Sequence, residues 1–505
     1  MGMKIVVAGN GAAAWLSAAA VARSRGNDDC KVTVLDVHSS NPIQPFGLGD
    51  ATLPLLQPGN DPFPDDFSAV ALAGSTFSHG IAMSGWAAPG VTYFQPFGQI
   101  GADLGPVSFR QLVLKLRKEG VAMRFGDYSL SAMAAQAGRF QLPGQDPRSV
   151  LSTCRHGLHA DMARLGELAK TRAKALGVSE AGILGSIERA EDGTIMALAT
   201  REGKRVTADL YIDCSGPDAC LTDRESPFGW EDWSAFLPCD RVMSASAETS
   251  EAPLPYSHAE ANTAGWVQYL PLQGKTVLNA VFSSAHASDE DILQIFQGFF
   301  GPGNCPQTKS IPVAFGRRLQ PWQGNCIALG AAAAVIDPVG VSNLHLLKTG
   351  LARLLTLLPG QADSRIMAAE YNRQAAAELS HARDFAQLHY RLNGRKGEPL
   401  WDVMRKAAVS ASLGYKLQMY ANLGRVAMYD FEPLEETSWI NLFDEHGVQP
   451  RQLHPIADGI GADDLKKHAD RVRAVMMDAL RKMPLHADYV SGIRASRTEK
   501  LTGNE

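Results

Sequence analysis

The chain opens with a short apolar run, Lys4 to Ala8 (KIVVA), followed by GNGAAAW and an alanine-rich stretch that continues through Arg23. A β-rich run that stops at two glycines, and then small apolar residues without breakers, predicts strand, tight turn and helix. A second β-rich run, Lys31 to Asp36, follows. Strand, glycine turn, helix, strand is the opening βαβ unit of a dinucleotide-binding α/β fold. Farther along, GSIERAEDGTIMALATREGKRVTADLYIDCSG (185–216) reads as successive strands joined by polar turns, with Asp192-Gly193 as a hairpin signal. Beyond about Asn343 the pattern changes. From Leu344 to Lys482, stretches such as SRIMAAEYNRQAAAELSHARDFAQLHYRL (364–392) carry helical periodicity and few breakers, so the C-terminal third is expected to be mostly helical. The polar tail after Ile493 is expected to be loosely held. There is no internal repeat and no low-complexity linker, which predicts that the two parts pack as one body.

Length and composition narrow the classes. A chain of 505 residues buries a large core, and 45% hydrophobic with 20% charged residues is ordinary for a globular enzyme. A net charge of −5 provides no basic field for a phosphate backbone, which argues against nucleic acid as a partner. The seven cysteines, Cys30, Cys154, Cys214, Cys220, Cys239, Cys305 and Cys326, are scattered and form no CxxC pair. They read as reduced thiols of a cytoplasmic protein. Lys4 and the apolar run ending at Ala20-Val21-Ala22 imitate a secretory signal, but Gly9 and Gly11 interrupt it where a signal core is continuous. Nothing reaches 18 uninterrupted apolar residues, so no membrane span is expected.

The candidate chemistry starts at the first turn. Gly9 permits a tight turn, Gly11 lets backbone N–H groups approach a pyrophosphate, and the helix beyond points its positive end at that charge. Ala13 and Ala14 follow, with Ala14 where the fingerprint has its third glycine. By itself such a fingerprint also fits a plain strand-to-helix turn. Asp36 closes the second strand where a carboxylate would receive ribose hydroxyls; its other reading is a turn aspartate. His156 and His159 lack neighbouring ligands for a metal, and none is expected.

Several blocks in order resemble the flavin-dependent tryptophan halogenases: GNGAAAW, FGLGDATLP (46–54), HAD (159–161), DLYIDCSG (209–216), SSAHASDED from Ser283, GRR from Gly316, GNCIALGAAAAVIDP from Gly324, TSWINLF from Thr437 and HPIAD from His454. The resemblance implies FAD, reduced by a separate flavin reductase, since only one dinucleotide fingerprint is present. It also implies a Rossmann-type FAD-binding part with an additional β-sheet, residues 1–355, fused to a mostly helical substrate-covering part, residues 356–505, and commonly a homodimer. The implied cofactor residues are Gly9, Gly11, Ala13, Ala14, Asp36, Gly49, Ala51, Thr52, Asp213, Gly330 and Asp337.

The resemblance fails where the family does its halogenation. There, reduced flavin and oxygen generate the oxidant, halide is converted to hypohalous acid, and a tunnel carries it to a lysine. The family segment reads like ATFKxGIxFxxW; here it is STFSHGIAMSGW, with Ser78 at the lysine position. Serine has no ammonium, and the adjacent His79 should point elsewhere. Where the family resembles EPLESTSIHLIQTGIARLL, this chain reads DPVGVSNLHLLKTGLARLL, so Gly340 replaces the partner glutamate and Val341 the serine after it. Ser342 and Asn343 remain as backbone donors for a chloride ion.

Two further departures concern substrate. The family's WxWxIP is WVQYLP here, keeping Trp266 and Pro271 but putting Gln268 for the second tryptophan. In YFQPFG, Gln95 stands two residues before Phe97, where tryptophan-specific members place a histidine that sandwiches indole. Phe94, Phe97, Trp266 and Trp439 are the expected walls of a pocket for a small aromatic or indole-like substrate. Three functions fit: an FAD-dependent oxidase or monooxygenase that uses no halide, a halogenase with unfamiliar tunnel-end groups, or a flavin-binding protein without turnover.

Overall fold

The computed structural model describes residues 2–37, 50–51, 66–222, 229–301, 303–306, 308–358 and 364–502. The opening unit forms as the pattern predicts. Met3–Ala8 is a strand, Ala12–Asp29 a helix and Cys30–Asp36 the next strand, paired parallel with the first. The first strand is apolar and buried because it is central: it pairs with Cys30–Asp36 on one side and Leu210–Asp213 on the other.

Eight strands make this sheet. Its parallel core runs Ser179–Arg189, Cys30–Asp36, Met3–Ala8, Leu210–Asp213 and Cys326–Ala328, with antiparallel strands added at both edges. The Asp192-Gly193 hairpin joins Ser179–Arg189 to Ile195–Thr200, with Gly193 at φ 84°. A second sheet of seven strands contains Gly80–Ser84, Thr92–Pro96, Ser257–Asn262, Gly265–Leu272 and Lys275–Phe282. In a small third sheet Gly157–Ala160 pairs antiparallel with both Asp50–Ala51 and Thr76–Ser78, and it touches Gly265–Leu272 of the second sheet.

The C-terminal third is helical, led by Asn343–Leu357, Ser364–Arg391, Ala411–Leu423, Glu436–Glu445 and Ala462–Lys482. The first of these helices runs through residue 355. Two earlier helices, Phe109–Lys118 and Leu130–Gln136, pack against Ala462–Lys482, so helices from both parts form one layer. One buried cluster joins Trp86, Trp266 and Phe97 to Phe385, Trp401 and Trp439, which makes the core continuous across the two parts. His486–Thr502 is a helix, docked on Asp66–Ala73 through its buried residues Val490 and Ile493, and Arg494, Ala495 and Ser496 beyond them are exposed. All seven cysteines are free thiols. No described helix is long and apolar enough to cross a membrane.

Candidate flavin and substrate site

The parallel strands end side by side, with Ala8 opposite both Leu35 and Asp213, and Asp213 opposite Ala328. This is the edge at which open α/β sheets bind nucleotides. Gly9 sits there at φ 146°, its N–H donating to Leu35 O at 2.9 Å. A Cβ on Gly9 would stand 2.6 Å from Cys214 O, so only glycine fits. At the start of the helix from Ala12, Ala14 N and Trp15 N donate to Gly11 O, which leaves the N–H groups of Ala12 and Ala13 without an intrahelical partner, beside the exposed Asn10 and half-buried Gly11. A cleft of about 610 Å³ opens there, lined by Gly11, Trp15, Met162 and Arg164 among others. Gly330, in the turn after Cys326–Ala328, has φ 61°, and a Cβ there would stand 3.7 Å from the Ala13 methyl; Ala14 is wholly buried in the helix packing. Asp36 carries a buried carboxylate oxygen with no hydrogen-bond partner. An orphaned acceptor at the end of the strand next to a glycine-only turn is what a ribose and pyrophosphate would complete, and these residues fit FAD.

Two expected cofactor carboxylates are used otherwise. Asp213 is buried and already receives donations from Ser215 N and Oγ, Leu221 N, and Thr222 N and Oγ1 at 2.5–3.0 Å. With its acceptor sites filled, it shapes the loop after its strand and has no capacity left for ribose. Asp337 is buried too. Its oxygens accept from Trp266 Nε1 (3.2 Å), Val339 N (3.2 Å) and Tyr390 OH (2.5 Å), tying the turn after Ala334–Val335 to the second sheet and to helix Ser364–Arg391. Burial pushes its pKa up to about 6, against the pull of Tyr390, Val339 and Trp266. Ala51 lies opposite His159 in the small sheet, while Gly49 and Thr52 fall outside the described residues.

At the position where the family has its lysine, Ser78 is fully buried, and its hydroxyl is engaged with its own turn. It donates to Gly80 O at 3.0 Å and accepts from Gly80 N at 3.3 Å. His79 turns away with Phe77: both rings pack on Phe140, at 4.7 and 4.4 Å. Burial drives the His79 pKa down to about 3, partly offset by backbone groups of Arg155 and Arg139, so the imidazole is neutral and stands in for no ammonium. Gly340 has φ 89°, and a Cβ there would lie 2.6 Å from Phe385 Cε1 and 2.9 Å from Cδ1. The room a glutamate would need is filled by an aromatic ring. Ser342 caps helix Asn343–Leu357 by accepting from His345 N, and Asn343 brackets the Ile336 peptide. Both side chains are committed, leaving the backbone N–H groups of that first turn for an anion.

The substrate residues converge in part. Trp439, Phe385, His389, Trp86 and Trp266 form a continuous row of ring contacts at 4.9, 5.0, 5.5 and 5.9 Å, passing directly beside Gly340. Phe97 belongs to the same cluster. Phe94 does not: on a strand adjacent side chains alternate, and it packs on Tyr256, Ala132 and Ala135 instead. Gln95 is more than a missing stacking wall. Its Nε2 donates to Ser438 O (3.1 Å) and its Oε1 accepts from Asn441 Nδ2 (2.9 Å), fixing helix Glu436–Glu445 against the second sheet. Gln268 is one rung of a polar ladder with Asn279 and Ser244. Asp161 caps helix Met162–Ala175 and pairs with Lys275. Among the described residues no group of three or more metal-ligating side chains occurs.

One feature lay outside the sequence reading. Lys416, fully buried on helix Ala411–Leu423, pairs with Glu432 at 2.5 Å, also donates to Ala427 O, and places its ammonium 4.6 Å from the ring centres of both Tyr429 and Trp439.

Comparison with known proteins places this geometry. The family model described as tryptophan halogenase matches residues 4–462. The tryptophan 6-halogenase ThaL of Streptomyces albogriseolus is 23% identical over 440 residues, 82% of this chain and 81% of that protein. The tryptophan 6-halogenase SttH of Streptomyces toxytricini is 24% identical over 495 residues, 92% of this chain and 90% of that one. Among solved structures, BrvH, a flavin-dependent halogenase from Brevundimonas sp. BAL3, superposes with TM-score 0.90 at 30% identity, covering 98% of this chain and 99% of that chain. Xcc4156, a flavin-dependent halogenase from Xanthomonas campestris, does so with TM-score 0.89 at 31% identity, covering 98% of both. With the family model spanning nearly all of the sequence, the chain belongs to the tryptophan halogenase family.

Proposed function

We propose that this family member is an FAD-dependent oxygenase that acts on an aromatic or indole-like substrate without using halide. The observation that carries the reading is the closed position at Gly340, where Phe385 occupies the space of a carboxylate, together with Ser78, whose hydroxyl is bonded to Gly80. Neither an ammonium nor a carboxylate stands at the tunnel end to polarise hypohalous acid or take up the ring proton. Bound FAD, reduced by a separate flavin reductase, supplies the oxidising chemistry with O₂: one oxygen atom goes to the substrate and the other leaves as water. The chain's own part is to hold the cofactor at Gly9, Gly11 and Asp36, and to bury the substrate under helix Glu436–Glu445, whose Trp439 is fully shielded from water.

A second reading, halogenation by unfamiliar groups, is favoured by the names of the relatives and by the intact first turn of helix Asn343–Leu357, which retains N–H groups for an anion. Bromide separates the two. Candidate aromatics are incubated with the protein, FAD, NADH and a flavin reductase, with and without bromide. The oxygenase reading predicts the same oxygenated product in both. Bromide-dependent products with the bromine isotope doublet support the second reading.

A further inference from the structure

A cavity lies between helices Asn343–Leu357 and Ser364–Arg391, beside the turn that follows strand Cys326–Ala328. The centre of a water-sized sphere has about 30 Å³ to move in it. Roughly 10–15 Å³ suffices for one water, so a molecule of two heavy atoms has room. The walls are mostly carbon, from Leu329, Ala333, Leu346, Ala375 and Leu379 among others. The polar side chains that reach the space are bound to one another or to backbone. Arg353 and Glu378, both buried, pair at 2.5 Å, the Arg353 guanidinium stands 5.3 Å from the Tyr371 ring centre, and the Asn343 amide donates to Ile336 O and accepts from Ile336 N. A buried water is held by several polar partners, and an apolar cavity that offers none stays dry and takes apolar ligands.

Two glycines define the space. Gly350 sits inside helix Asn343–Leu357, where glycine weakens a helix. A Cβ there would stand 3.2 Å from the Tyr371 hydroxyl and 3.5 Å from a Leu329 methyl, both residues of the cavity wall, so the glycine keeps the gap open. Gly330 is a wall shared with the cofactor cradle. It lines the cavity, and a Cβ on it would stand 3.7 Å from the Ala13 methyl in helix Ala12–Asp29. The turn Gly330–Ala332 therefore borders both the cavity and the flavin site.

We propose that this cavity is a binding site for dioxygen, from which the gas reaches reduced flavin. Dioxygen is a small apolar diatomic, the class of ligand that a dry, carbon-walled space takes, and it is consumed at the cofactor that Gly330 borders. The assignment deepens the proposed function and rests on its use of O₂ by bound FAD, not on the fate of the substrate.

The test uses the FAD-bound protein without substrate or halide, and xenon in place of dioxygen. Crystals pressurised with xenon should show an atom in the cavity, against Leu329, Leu346 and Leu379. In solution, bound flavin reduced anaerobically is mixed with oxygenated buffer and its reoxidation is followed by absorbance. Ala375→Leu, which fills the cavity, should exclude xenon and slow reoxidation about fivefold, with FAD affinity within about twofold of wild type. Should Ala375→Leu fail to fold or release FAD, Gly350→Ala, a smaller intrusion into the same space, should slow reoxidation about twofold. A brominated product found elsewhere would overturn the oxygenase reading and leave this assignment standing, because both reactions begin with flavin and O₂. A cavity without xenon, an ordered water in its place, or reoxidation at the wild-type rate in the folded, FAD-bound variant would overturn the proposal.

Discussion

Placing a side chain at Gly340 tests the structure where it departs most from its family. The backbone there has φ 89°, and the first carbon of any side chain would lie 2.6 and 2.9 Å from two ring atoms of Phe385, whose own exposure is nil. Left-handed backbone costs a residue with a Cβ about 1–2 kcal/mol. Overpacking a filled core adds about 1–3 kcal/mol, so Gly340→Ala should destabilise by roughly 2–5 kcal/mol and Gly340→Glu by more, since its carboxylate has no partner there. Combining Gly340→Ala with Phe385→Leu removes the collision and keeps the backbone strain. A double-mutant cycle read by thermal or denaturant unfolding should therefore return a favourable coupling of about 1–3 kcal/mol. An important consequence is that Ser78→Lys with Gly340→Glu should not restore halogenation unless Phe385 is also cut down. Gly340→Ala as stable as wild type, or strict additivity with Phe385→Leu, would refute the claim that this position is built for glycine.

Other expectations follow from the two ends of the site. Gly11→Val puts a branched side chain at the mouth of the cleft before helix Ala12–Asp29 and should abolish FAD binding in a fluorescence titration; unchanged affinity would remove Gly11 from the site. NADH alone should leave the bound flavin oxidised under anaerobic conditions, and an added flavin reductase should bleach it, because the chain has a single dinucleotide fingerprint. Asp337, pushed up to about 6 by burial, holds its proton in the folded state where the unfolded chain, at about 3.9, has lost it. Its contribution to stability therefore falls as pH rises from about 4 to about 6 and is flat above, and Asp337→Asn, which still accepts from Trp266 and Tyr390, should flatten that fall when unfolding midpoints are compared across the range.

How much of this was written in the sequence depends on how local the cause is. Gly9 and Asp36 were legible because a tight turn and an acid at a strand end follow from a few neighbouring residues. The hairpin at Asp192-Gly193 and the helices after Asn343 were legible for the same reason. For Asp213 and Asp337 the sequence does not separate the roles, because an acid after a strand looks alike whether it meets ribose or its own fold. What decides is distant: Leu221 and Thr222 for Asp213, and Trp266 and Tyr390 for Asp337. The side on which Phe94 packs is not legible in the sequence, because only the strand register fixes which neighbours alternate inward. The clamp on Trp439 had no signal at all, since Lys416 and Glu432 are sixteen residues apart and a lone lysine on a mixed helix reads as solvated surface. Its burial is a property of the packed helices.

The central claim is that oxygen, and not halogen, reaches the substrate. Mass spectrometry of the products formed with FAD, NADH, a flavin reductase, ¹⁸O₂ and bromide reads both atoms at once. The account predicts a product carrying one ¹⁸O and no bromine, formed equally when bromide is left out. A product with the paired bromine isotope pattern, formed only when bromide is present and carrying no ¹⁸O, would contradict it.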